Sequence, residues 1–173
     1  MTTEYILNEA MERVLELLTP SNRLVMRVML HTGLRVGDVL ALKPEQLRRR
    51  FVVTEHKTGK RKTVTLTDDL LCQLRLLAGE IWVFPMRGDP SRHRTRQAVW
   101  ADVKRAAKAC RMSQNVGTHS ARKAYAVELY RKYGDIERVR RALNHSSACV
   151  TVLYACADSL TQRGYKRRRK SKG

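Results

Sequence analysis

The sequence predicts an α+β fold that is mainly helical and contains a small antiparallel β-sheet. Apolar residues recur at spacings of three and four through most of the 173 residues, which is typical of amphipathic helices. Two β-branched runs, 51–56 and 61–66, flank the turn 57–60 and predict one β-hairpin. Neither a repeat nor a long linker divides the chain. We therefore expect a single domain over residues 1–160, followed by a basic tail over residues 161–173.

Capping residues, glycines and prolines set the helix boundaries in the first half of the chain. Apolar spacing predicts a first helix over residues 3–18. Thr19 as N-cap and Pro20 at the first helical position predict a second helix, which Gly33 ends. A short third helix over residues 36–42 stops before a Lys-Pro pair, because a residue that precedes proline avoids helical geometry.

The second half of the chain follows the same rules. Thr67, followed by two aspartates, is predicted to cap a helix that reaches about Ala78. A strand over residues 81–84 and a loop over residues 85–94 follow it. Further helices are predicted over residues 95–110, 118–132 and 136–143, with a last helix that begins at Ser146 or Ser147 and runs through Tyr154.

The charge balance predicts a polyanionic partner. Thirty-five Lys and Arg residues stand against 16 Asp and Glu, which leaves a formal net charge of +19. Basic side chains release condensed counterions when they bind nucleic acid, so we expect nucleic acid ahead of an anionic membrane. No apolar stretch reaches the roughly 20 residues that cross a bilayer, so no membrane span is expected. The basic clusters lie at residues 48–50, 57–62, 87–96, 104–111 and 163–172.

The cysteines and histidines indicate no metal site. The four cysteines form no C-x-x-C pair, and most fall within apolar segments, where a free thiol behaves as a small hydrophobic group. We expect reduced thiols in the core, with neither a structural metal nor another cofactor.

Two local patterns contain arginines suited to binding an anion. Arg35 lies at a predicted helix junction, where its guanidinium needs either an anion or Asp38 as a partner. His119 and Arg122 are three residues apart and therefore share a helix face. Each pattern alone has a simpler explanation, an Arg35–Asp38 ion pair in the first case and a surface pair in the second.

A third pattern adds a candidate nucleophile. His145 precedes Tyr154 by nine residues, although a lone tyrosine on a helix is usually a core aromatic. Taken together, two guanidiniums can bind the nonbridging oxygens of a phosphate while imidazoles and a lysine transfer protons near a tyrosine. Tyrosine has a pKa of about 10 and needs a proton acceptor or a strongly positive field to attack at neutral pH. The set predicts phosphoryl transfer to tyrosine.

Four motifs, in order, resemble one known family. They read TGLRVGDVLALK, HKTGKRKTVTL, GTHSARKAYA and LNHSSACVTVLY, and the resemblance covers residues 24–157. The chain resembles the catalytic domain of the tyrosine recombinases, the phage-integrase family, and the resemblance implies that fold. Residue by residue, it implies a catalytic set of Arg35, Lys57, His119, Arg122, His145 and Tyr154.

The resemblance also implies a mechanism that uses neither ATP nor metal. Tyr154 attacks a DNA phosphate to give a 3′-phosphotyrosine link and a free 5′-hydroxyl. Arg35 and Arg122 stabilise the charged oxygens, and Lys57 protonates the leaving 5′-oxygen. His119 assists proton transfer at the nucleophile, whereas His145 donates a hydrogen bond to a nonbridging oxygen.

The same resemblance implies the partners. We expect double-stranded DNA and a homo-oligomer, a tetramer in the synaptic complex, with a monomer in solution left open. The location implied is the cytoplasm at the nucleoid, or inside the host cell for a phage-borne or virus-borne protein. The DNA-binding residues expected besides the catalytic set are Lys60, Arg61, Arg92, Arg94, Arg96 and Lys123.

Several alternatives stay open at this stage. Lys60 and Lys62 compete with Lys57 for the lysine role, and Tyr165 is a weaker candidate nucleophile. A type IB topoisomerase or a non-catalytic DNA-binding regulator on the same fold would share much of the pattern. Asn144, Asp38 and Lys123 depart from the residues that the family commonly has. The N-terminal DNA-clamping domain of the family has no counterpart here, which indicates an excised catalytic domain or a compact member.

Overall fold

A computed structural model of the protein describes residues 8–144, and most of its ordered segments are helical. The helices are α1 (Asn8–Glu16), α2 (Pro20–Thr32), α3 (Val36–Leu40), α4 (Asp68–Leu77), α5 (Arg96–Ala109), α6 (Thr118–Tyr133) and α7 (Ile136–Ala142), with a 3₁₀ turn at Pro44–Gln46. The strands are β1 (Arg50–Thr54), β2 (Arg61–Thr65), β3 (Pro85–Met86) and β4 (Asp89–His93). The predicted α+β class is confirmed.

Helix α2 is central to the core. It packs against α6, α3, α4, α5 and α1, and its apolar positions are almost all buried. One hydrophobic cluster runs from Met11 in α1, through Phe84, to Ala121 in α6. Burial of this apolar surface is the main stabilising term of the fold. It also fixes the positions of α2, α3 and α6 relative to one another.

The first β-hairpin was predicted correctly. β1 and β2 pair antiparallel, with Arg50 opposite Thr65 and Thr54 opposite Arg61. Burial alternates along β1, so that Phe51 and Val53 face the core while their neighbours face solvent. This period of two is the pattern expected of a strand with one buried face.

A second hairpin corrects the sequence prediction for residues 81–94. The predicted strand over residues 81–84 is wrong; β3 pairs instead with β4 inside the segment predicted as a loop. Gly88, which has φ of +89°, lies in the turn between them. These strands are short and polar and present no alternating apolar face, so the sequence pattern resembled a loop.

Thr19, Thr67 and Thr95 each precede a helix, but only Thr67 and Thr95 cap it through the side chain. Thr67 and Thr95 accept hydrogen bonds from the backbone N–H groups of Leu70 and Ala98, as N-caps do. Thr19 makes no such cap bond; its hydroxyl donates instead to Asp102, 2.9 Å away. α3 ends at Leu40, two residues before the predicted end.

The two cysteines that the structure describes differ from the expectation of core thiols. Cys72 is exposed, and Cys110 is half-buried against the core. Cys149 and Cys156 lie outside the described residues, as do the predicted last helix and the basic tail over residues 161–173.

Candidate active site

Arg35 lies where α2 passes into α3. Gly33 ends α2 in the left-handed conformation, with φ of +66°, and Arg35 is the N-cap residue of α3. The Arg35 Nη1 donates to the Glu55 Oε2, 2.6 Å away, and the Arg35 side chain is 20% exposed. The alternative of an Arg35–Asp38 ion pair is wrong, because Asp38 Oδ1 accepts from the backbone N–H of His56 at 2.9 Å.

Arg122 reaches the same carboxylate from α6. Its guanidinium is buried, and its Nη1 lies 3.9 Å from Glu55 Oε1. Nη1 also donates to the Gly33 carbonyl and Nη2 to the Leu143 carbonyl, each at 2.5 Å. The planar guanidinium of Arg122 therefore links Gly33, just before Arg35, to Leu143 at the end of α7.

Glu55 is the site residue that the sequence analysis missed. It follows β1 and is fully buried, with Oε2 accepting from Arg35 and from Thr58 Oγ1 at 2.8 Å. Burial raises the pKa of Glu55, but the hydrogen bonds from Arg35 and Thr58 and the two arginine charges outweigh burial and lower it below 4.5. The signal lay in the alternation of β1, because position 55 continues the inward-facing series of Phe51 and Val53.

His119 lies beside these charges on the first turn of α6. The residue is exposed. Desolvation, followed by the positive charges of Arg122, Lys123, Arg35 and Lys57, lowers the pKa of His119 below 6.5. This shift favours the neutral imidazole, which can accept a proton.

The three hairpin lysines differ in their surroundings. Lys57 and Lys60 are exposed in the turn between β1 and β2. Lys62 Nζ instead donates to the Thr32 carbonyl at 2.6 Å and lies 5.4 Å from the ring centre of Tyr125. Desolvation, with Arg122 the next cause, lowers the pKa of Lys62 to about 8. Lys62 faces the α2 terminus, whereas Lys57 remains accessible to a ligand.

The other basic residues expected at this site fall into two groups. Lys60, Arg61, Arg92 and Arg96 are exposed, whereas Arg94 and Lys123 are half-buried. The Arg96 side chain passes close to Gly37 in α3, because a Cβ added at Gly37 would lie 3.7 Å from Arg96 Cδ. Arg96 therefore lies beside the turn of α3 that Arg35 begins.

Two members of the expected set, His145 and Tyr154, lie outside the described residues, so their roles stay predictions. Within residues 8–144, no group of three His, Cys, Asp or Glu side chains could hold a metal ion. In the same part of the chain, no helix is both long and apolar enough to cross a bilayer.

The sequence profile of the phage integrase family matches residues 4–160. The chain belongs to the phage integrase family. Among integrase-family proteins, it is 27% identical over 146 residues to "Probable integrase/recombinase YoeC" of Bacillus subtilis strain 168 and covers 76% of that protein. It is 27% identical over 144 residues to the tyrosine recombinase XerD of Pseudomonas aeruginosa PAO1, using 77% of this chain and 48% of XerD. The chain thus spans about half the length of XerD.

Solved integrase-family structures share the fold. The XerA recombinase superposes with a TM-score of 0.75 at 19% identity, over 96% of this chain and 64% of XerA. The catalytic domain of bacteriophage HP1 integrase superposes with a TM-score of 0.65 at 20% identity, over 90% of this chain and 89% of that domain. The fold expected from the motifs, that of a tyrosine-recombinase catalytic domain, is confirmed.

Proposed function

We propose that this chain is the catalytic domain of a site-specific DNA recombinase that cleaves and rejoins strands through a 3′-phosphotyrosine on Tyr154. One observation carries the proposal. Arg35 and Arg122, from separate elements, direct their guanidiniums at one buried carboxylate, beside His119 and the turn that contains Lys57. Two guanidiniums held at one point can bind the nonbridging oxygens of a single phosphodiester.

The chemistry follows from the charge and exposure of these groups. The Tyr154 hydroxyl attacks phosphorus, a P–O bond to tyrosine forms, and the bond from phosphorus to the 5′-oxygen breaks. Neutral His119 receives the phenol proton, and the Lys57 ammonium supplies the proton that the 5′-oxygen takes up. Arg35 and Arg122 stabilise the charge that develops on the nonbridging oxygens, with His145 as a further donor. Attack by a 5′-hydroxyl reverses each step, so no external energy source is required.

The surface charge supports duplex DNA as the substrate. Exposed basic side chains lie on the first hairpin, which contains the Lys57 turn, and at the start of α5, where Arg96 lies beside α3. Contacts to several phosphates make binding strongly dependent on salt. We assign these contacts to Lys60, Arg61, Arg92, Arg94, Arg96 and Lys123. The XerH neighbour is solved bound to its difH substrate and lambda integrase as a tetramer on a Holliday junction, which supports assembly as a tetramer on DNA.

A covalent-capture experiment tests the proposal. The full chain is incubated with nicked duplexes of randomised sequence, and DNA that stays bound to protein in detergent is recovered and sequenced. We expect a defined sequence in the captured DNA and no capture by Tyr154→Phe or Arg35→Ala.

The outcomes separate the proposed recombinase from its alternatives. Capture without sequence preference, together with relaxation of supercoiled DNA, would indicate a topoisomerase. Binding without capture would indicate a DNA-binding regulator. Capture that persists in Tyr154→Phe would overturn the assignment of the nucleophile.

A further inference from the structure

The buried carboxylate of Glu55 contacts two cationic groups that the proposed reaction uses and the turn that contains the third. Its side chain accepts from Arg35 at 2.6 Å and lies 3.9 Å from the Arg122 guanidinium. The Thr58 hydroxyl donates to the same Oε2 atom at 2.8 Å. Thr58 directly follows Lys57, so this bond also connects the carboxylate to the turn that contains the lysine.

The backbone of Glu55 holds that turn as well. The Glu55 N–H donates to the Lys60 carbonyl at 3.0 Å, and the Glu55 carbonyl accepts from the Gly59 N–H at 2.8 Å. The main chain of Glu55 therefore closes the turn with hydrogen bonds. The side chain of Glu55 links the same turn to the arginines. A shift of this one residue would move Lys57 and the arginines relative to each other.

The carboxylate of Glu55 is less accessible to solvent than either arginine. The Glu55 side chain is 0% exposed, that of Arg122 is 4% exposed and that of Arg35 is 20% exposed. A phosphodiester that arrives from solvent therefore meets Arg35 before it meets the carboxylate, which would repel it. Because the Glu55 side chain is fully buried, we expect it to affect the reaction through the groups that it contacts.

We infer that Glu55 is a positioning residue for strand cleavage, which sets the spacing of the Arg35 and Arg122 guanidiniums and the place of the Lys57 turn before DNA binds. This inference rests on the proposed function. The two guanidinium charges repel each other, and a carboxylate that lies close to both offsets that repulsion and helps to fix their spacing. Groups held in place in advance stabilise a transition state without reorganisation at the moment of reaction.

The test compares cleavage rate with DNA affinity in Glu55→Gln. Glutamine keeps the length of the side chain and one carbonyl acceptor, but it removes the charge and directs an amide N–H₂ toward the arginine–threonine group. We expect the single-turnover rate of adduct formation on a captured duplex to fall about 10- to 100-fold, the range for small displacements of reacting groups. DNA affinity, measured in the Tyr154→Phe background, should change less than about twofold. The matched control is Glu45→Gln, which makes the same charge change at an exposed position outside the site.

A second pair of variants protects the test against misfolding of Glu55→Gln. Thr58 is exposed, so Thr58→Val removes the bond to Glu55 Oε2 with little effect on the core. We expect Thr58→Val to lower the cleavage rate about fivefold to tenfold, and Thr58→Ser, which keeps the hydroxyl, to recover most of the loss. The thermal unfolding midpoints of these two variants should match that of the wild type.

The results separate this inference from the proposed function. Wild-type protein that forms no adduct on any duplex overturns the proposed function and the inference with it. A wild type that cleaves, with folded Glu55→Gln or Thr58→Val cleaving at the same rate, overturns only the inference. A purely structural role for Glu55 would lower the unfolding midpoint and leave the rate of the folded protein unchanged.

Discussion

The substitution Gly33→Ala probes the packing that places Arg35 and Arg122. Gly33 has φ of +66°, and a Cβ added there would lie 2.5 Å from Tyr125 Cε1. The left-handed conformation costs a non-glycine residue about 1–2 kcal/mol. Overlap with a ring in a packed interior adds about 1–3 kcal/mol. We therefore expect Gly33→Ala to lower the free energy of unfolding by about 2–5 kcal/mol.

Gly134→Ala is the matched control, because it isolates the backbone contribution. Gly134 has φ of +65°, and no atom lies within 4 Å of an added Cβ. We expect this variant to lose only about 1–2 kcal/mol in urea denaturation. Tyr125→Ala in the Gly33→Ala background should recover the overlap contribution, after correction for Tyr125→Ala alone. Equal losses in Gly33→Ala and Gly134→Ala would refute the close approach of Gly33 to the Tyr125 ring.

Three further predictions concern charged groups. Burial raises the pKa of Asp102, but hydrogen bonds from Asn22, Thr19 and Arg105 outweigh this effect and lower the pKa to about 2. Asp102→Asn should therefore lose about 1–2 kcal/mol of stability at pH 7. This difference from the wild type should disappear as the pH falls from about 4 to 2, which acid titration of urea unfolding measures. The pKa of Lys62 is lowered to about 8 in the folded protein. Above that pH, the Lys62 amine therefore holds its proton more in the unfolded chain than in the folded protein. The stability of the wild type relative to Lys62→Met should therefore rise between about pH 8 and 10.5, and a flat difference would refute the burial of the amine. Arg122→Lys cannot donate to both the Gly33 and Leu143 carbonyls, so we expect a loss of about 1.5–3 kcal/mol by thermal unfolding.

Local signals in the sequence predicted much of the fold. Gly33 and Gly134 end helices, and Thr67 and Thr95 begin them, because caps act within a few residues. The alternation in β1 likewise depends only on neighbouring residues. The β3–β4 hairpin was missed because backbone pairing across Gly88 leaves no trace in the apolar pattern of such short strands.

The partner of Arg35 shows why the site was harder to predict than the helices. Asp38 was the nearby acid in the sequence, but the fold brings Glu55 to the guanidinium and turns Asp38 to the backbone of His56. Such a choice depends on tertiary packing, which no local window contains. The convergence of Arg35 and Arg122 was expected only from the order of the motifs, and the buried carboxylate between them was not expected.

The most direct test of the central claim is to identify the residue that carries DNA after covalent capture. Captured protein is digested with protease and nuclease, and the peptide that retains a nucleotide is sequenced by mass spectrometry. We expect a single 3′-nucleotide on Tyr154 and none when Arg35 or Arg122 is replaced by alanine. A nucleotide on Tyr165, or an adduct that forms equally well without the two arginines, would contradict the claim that these guanidiniums hold the phosphate for Tyr154.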